Sequence, residues 1–132
     1  MATIKSFTSL EQSKVLAKIL PLESADMLFQ LGEDKYADSI RVPLTKKHWE
    51  QMMPDIKPCW SLASLLGVLP NGKDVSTTLS RGGWSIELLE YVDKWWCEYE
   101  DDTHTKEFSV SADNPIDACY AMIIKLHELK ML

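Results

Sequence analysis

Three cysteines and three histidines are the residues of this chain best suited to chemistry. A thiolate needs a neighbouring group to take its proton, so His48, His104 or His127 beside Cys59, Cys97 or Cys119 would make a nucleophile. Nothing in their spacing selects a pair. Cys119 falls on the apolar face of a helical pattern, Cys97 lies between Trp95 and Tyr99 in an alternating stretch, and Cys59 directly precedes a helix, so all three read as packing positions. A second candidate is Asp101-Asp102-Thr103-His104, which puts two carboxylates and an imidazole on one loop where they could hold a metal ion. With Cys97 alongside, the same residues would suit a small metal- or ligand-dependent enzyme. The stretch has neither the glycine and spacing of a calcium loop nor the HExxH of a zinc protease, and a solvated turn accounts for it. The sequence therefore names no metal ligand, no cofactor and no catalytic residue.

Five tryptophans, at 49, 60, 84, 95 and 96, invite the idea of a ligand cage or a platform on which bases stack. Core and sheet-face packing is the plainer reading. The adjacent pair Trp95-Trp96 complicates it, because neighbours on a strand point to opposite faces. If one faces the core, the other must face a second layer or a partner. The chain carries no phosphate-cradling glycine loop, no G-x-S-x-G elbow and no basic aromatic RNA signature, so no motif argues for an enzyme.

The elements that must position these residues are those of one folded domain spanning residues 1–132, a length near the common domain size. A hydrophobic content of 45% against 26% charged residues argues against disorder. The net charge of −6 disfavours direct nucleic-acid binding, whose affinity comes mainly from cations neutralising phosphates. The first residues lack a basic start followed by an apolar run, and no 18-residue apolar segment is present, so a cytoplasmic protein without a membrane anchor is expected. The odd, widely spaced cysteines suggest neither a disulfide framework nor a zinc knuckle.

Ser9-Leu10-Glu11-Gln12 has the form of a capping box and predicts a helix that Pro21 stops. Ser24 to Val42 reads as two short strands around a Gly32-Glu33-Asp34-Lys35 turn. Thr45 caps a short helix through Glu50, and Pro54 and Pro58 then fence off Asp55-Ile56-Lys57 as loop. Ser61 caps a helix with Trp60 and Leu65 placed as a hydrophobic staple, and Gly67 and Pro70 end it. Val75 onward reads as strands: Gly82-Gly83 marks a turn or bulge, Trp84, Ile86 and Leu88 alternate, Asp93-Lys94 follows, and Trp95, Cys97 and Tyr99 alternate again. A helix competes there, since Ile86, Leu89, Val92 and Trp96 also share one helical face. The aromatic content and the third alternating run, Phe108, Val110 and Ala112, favour a hairpin. Asn114-Pro115-Ile116-Asp117 then opens an amphipathic C-terminal helix carrying Cys119, Met122, Ile123, Leu126 and Leu129. The expected fold is α+β with two layers: an antiparallel β-meander covered on one face by helices, the C-terminal one closing the core.

Pro58 to Pro70, the aromatic tract Trp95 to Tyr99, and Phe108 to Cys119 with Met122 to Leu129 resemble a group of small proteins carried by phages and prophages of gut Bacteroidetes. The likeness covers a third to a half of the chain. No activity attaches to that group, so what the resemblance implies is context, a bacterial cytosol and mobile DNA, rather than residue roles.

The expectation that follows is a small noncatalytic binding or accessory protein acting on a protein partner or on itself. Its surface would comprise Trp96, Glu98, Glu100, Asp101 and Asp102, an exposed aromatic beside an acidic cluster. The same acidic cluster permits an alternative, a mimic of nucleic acid that inhibits a basic host protein, provided the carboxylates converge on one face.

Overall fold

The Ser9 hydroxyl accepts from the Gln12 amide at 3.2 Å while the Gln12 side chain accepts from the Ser9 amide at 3.0 Å, and the capping box so formed starts helix α1, Leu10–Ile19. The computed structural model describes residues 5–29, 37–40, 44–53, 56–103 and 105–132, with residues 84 and 85 as backbone only. A 3₁₀ turn, Leu22–Ser24, leads to β1, Met27–Phe29, which pairs antiparallel with β2, Asp38–Ser39. The expected Gly32–Lys35 turn lies outside the described residues. Thr45 caps α2, Lys46–Met52, through a box completed by His48. Strand β3, Lys57–Cys59, then pairs with the other side of β1. The expected loop over 55–57 is corrected there: Lys57 is in a strand, and Pro58 sits in it opposite Leu28. The sheet order β2-β1-β3 makes β3 an edge, where a missing proline N–H is tolerated. Ser61 accepts from the Ser64 amide at 3.3 Å and starts α3, Leu62–Val68.

Strand β4, Val75–Ser85, runs antiparallel to β5, Glu90–Asp101, which pairs in turn with β6, Glu107–Ala112, in the order β4-β5-β6. The hairpin reading of Trp84 to Glu100 holds, and the helical alternative does not. The turn, however, is Ile86–Leu89, and Asp93-Lys94 lies within β5. Gly82 is the bulge: the register shifts between Arg81 and Gly83, and Gly82 has φ +74°. Asn114 caps α4, Pro115–Glu128, accepting from the Asp117 amide at 2.9 Å and donating to its carboxylate at 2.7 Å. That carboxylate also pairs with Lys5 Nζ at 2.9 Å. At the far end Lys130 takes φ +59°, and the amides of Lys130 and Met131 reach back to the carbonyls of His127 and Leu126 at 3.0 and 2.8 Å.

Among the described residues there are four α-helices and two three-stranded antiparallel sheets, an α+β arrangement. The strands divide between two sheets where one meander is expected from the sequence. The chain gathers into two compact units, residues 6–68 and residues 69–132 with Lys5. In the first, Leu16, Phe29, Trp49, Trp60 and Leu65 are fully enclosed, and Thr8 bridges Ser13 at 2.8 Å and the Trp60 amide at 3.1 Å within that core. In the second, α4 packs on β5 and β6 and buries Ile116, Cys119, Met122, Ile123 and Leu126 against Cys97 and Tyr99. No helix among the described residues is long and apolar enough to cross a membrane.

Candidate functional site

Strand alternation sorts the β4–β6 sheet into two faces. On the face that α4 covers, Leu79, Cys97 and Val110 form one row and Thr77, Tyr99 and Phe108 the next. The Tyr99 and Phe108 rings stack at 5.7 Å, and the Lys125 ammonium lies 5.4 Å from the Phe108 ring centre. The opposite face reads in rows as Ser80, Trp96, Ser111; Thr78, Glu98, Ser109; and Ser76, Glu100, Glu107. Nearly all of these are exposed, with Ser76 and Trp96 half-buried. This is a hydroxyl- and carboxylate-rich surface with one large aromatic in it.

Glu100 and Glu107 are direct cross-strand partners, and Glu98 lies two residues from Glu100 on the same face. A shallow depression of about 410 Å³ is lined there by Thr78, Glu98, Glu100, Glu107 and Ser109, with Tyr99 and Phe108. The arrangement offers acceptors and negative charge at one end and an apolar ring at the other, which suits recognition of a cationic surface.

Of the five residues expected to form a surface, the structure brings together Trp96, Glu98 and Glu100. Asp101 belongs by alternation to the other face, and its carboxylate is taken up by the turn into β6. It accepts from the Thr105 amide at 2.9 Å, the Thr105 hydroxyl at 2.8 Å and the Lys106 amide at 3.4 Å. Desolvation alone would raise the Asp101 carboxyl, but these hydrogen bonds outweigh it and hold it below its ordinary value. Asp102 is an exposed turn residue whose amide donates to the Asp74 carbonyl at 2.7 Å. His104 lies outside the described residues. Among the described residues no group of three His, Cys, Asp or Glu side chains is placed to hold a metal ion.

The neighbours Trp95 and Trp96 do point to opposite faces. Trp95 sits beside Arg81, whose guanidinium lies 5.6 Å from the Trp95 ring centre and pairs with Asp93 at 3.0 Å. The three thiols are buried, and none is bonded to a histidine among the described residues. Burial raises the Cys59 thiol, against hydrogen bonds from Thr8 and Ser13 that lower it. Cys119 is raised further, first by its hydrogen bond with Cys97 and then by burial. Cys59 and Cys119 are thereby held protonated as packing groups, whereas the same hydrogen bond with Cys119 lowers the Cys97 thiol against the effect of its burial.

The feature that sequence reasoning missed is the β4–β5 turn itself, where Ile86, Leu88 and Leu89 are 82, 63 and 72% exposed and Tyr91 is 60% exposed. The available signal was Leu88-Leu89, two consecutive leucines that break the alternation.

No protein-family model matches this chain, and no match is found among the curated proteins or the solved structures.

Proposed function

We propose that this chain is a small noncatalytic binding or accessory protein of a bacterial or phage-infected cytosol, working through the open face of the β4–β6 sheet on a basic protein partner. The observation that carries this reading is Trp96, half-buried at the head of a face whose other rows are serine, threonine and glutamate. A large ring among polar neighbours supplies an anchor of the kind that dominates interface energies, and the adjoining glutamates supply orientation and selectivity. The three thiols are buried, and the Asp101 carboxylate is engaged by the turn into β6.

Capture of partners from host lysate on immobilised protein, with Trp96→Ala and a Glu98→Gln, Glu100→Gln variant alongside the parent, tests this. The expected result is a basic protein retained by the parent and lost with Trp96→Ala at unchanged circular dichroism. Retention of every partner by Trp96→Ala overturns the reading.

The placement of Glu98, Glu100 and Glu107 on one face favours a second reading, a nucleic-acid mimic. It differs in what carries affinity: the glutamine variant would then abolish binding and Trp96→Ala would leave most of it.

A further inference from the structure

The tip of the β4–β5 hairpin exposes Ile86, Leu88 and Leu89 on four successive residues, with Tyr91 just beyond. Large apolar side chains grouped in this way mark interaction sites. Leu89 also takes φ +54°, a conformation that a bulky side chain rarely adopts. Glu87 and Glu90, both exposed, stand between these side chains.

A complementary surface exists within the 6–68 unit. Leu10, Lys14, Ala17 and Lys18 fall on one face of α1 and, with Met53, Lys57 and Pro58, line a groove of about 330 Å³. Its lining is mostly apolar, and Lys14, Lys18 and Lys57 bring three cations to it; none of the three has an ion-pair partner among the described residues. That volume is at the lower end of the roughly 300 to 1,000 Å³ typical of small-molecule pockets.

We infer that the 86–91 hairpin tip of one molecule docks into the α1–β3 groove of a second copy of this chain, so that the protein self-associates. Charge selects this pairing over tip against tip or groove against groove. Tip against tip would set Glu87 and Glu90 against themselves, and groove against groove would gather lysines, whereas tip against groove places two carboxylates among three ammonium groups. A contact between two different patches either is reciprocated across a twofold axis, giving a closed dimer, or propagates into a ring or a chain. The inference does not rest on the open sheet face.

Light scattering on size-exclusion eluate of the full chain, with two variants, tests it. The tip variant is Ile86→Ser with Leu89→Asn, asparagine being tolerated at positive φ. The groove variant is Lys14→Glu with Lys18→Glu, both exposed on α1. The parent is expected to grow beyond monomer mass with concentration, and each variant alone to remain monomeric. A mixture of the two variants is expected to give a species of about twice the monomer mass and nothing larger, because one intact tip meets one intact groove. Pairing in the mixture also establishes that both variants are folded. A monomeric parent overturns the inference, including one whose groove instead binds a fluorescent fatty acid, and so does assembly of either variant alone or a mixture that stays monomeric.

Discussion

The Asp101 carboxylate gathers three donors of the β5–β6 turn, two of them backbone amides, in the manner of a side chain standing in for a missing strand bond. Its folded pKa lies below the unfolded carboxylate value of about 4. The resulting stabilisation is therefore fully present above that unfolded value and is lost as pH falls through the folded one. Urea unfolding between neutral and strongly acidic pH should show the parent losing more stability on acidification than Asp101→Asn; equal losses would mean that the turn does not hold the charge. Gly82 is the other residue whose identity the geometry demands. A Cβ there would stand 1.7 Å from the Tyr91 hydroxyl at φ +74°. Gly82→Ala should cost about 1 to 2 kcal/mol from the left-handed backbone, plus whatever moving Tyr91 requires. Because Tyr91 is exposed, Gly82→Ala in a Tyr91→Ala background should keep the backbone cost and lose the steric one, read as a double-mutant cycle of denaturation midpoints.

Helices were legible wherever a cap stood beside an apolar run. Ser9, Thr45, Ser61 and Asn114 all cap as their local sequence implies, since each bond spans only three residues. Asn114→Ala should cost about 1 kcal/mol and lower the thermal midpoint by a few degrees; no change in a melting curve would show that Pro115 and Asp117 hold the helix start alone. Strands were legible as strands but not in extent. The alternation of Trp84, Ile86 and Leu88 continues unbroken into the turn, because side-chain type does not distinguish an apolar residue on a strand face from one at a bare tip. Pro58 misled in the other direction. Proline ordinarily punctuates a loop, and only pairing with β1 on an edge makes Lys57–Cys59 a strand.

At the scale of the whole molecule, the buried thiols serve as reporters of both compact units: Cys59 lies in residues 6–68, and Cys97 and Cys119 lie in the other. Alkylation should be slow in native buffer and complete in strong denaturant. If residues 1–132 form one domain as their length suggests, Cys59 and the Cys97–Cys119 pair should become reactive at one denaturant midpoint; peptide mass mapping that gives two midpoints would establish two domains. The surface proposed for binding was half legible in the same sense. Period-two spacing put Trp96, Glu98 and Glu100 together, yet it could not reveal that Glu107 completes their acidic row, because that row depends on the β5–β6 register. Caps, helix faces, an irregularity at Gly82-Gly83 and the opposed tryptophans followed from the sequence alone, since each is set by sterics and hydrogen bonds within a few residues. Which strands share a sheet, which sheet face stays open, and where the apolar tip and the lysine-lined groove lie were decided only in three dimensions, because pairing and burial join residues whose distance along the chain leaves no local trace.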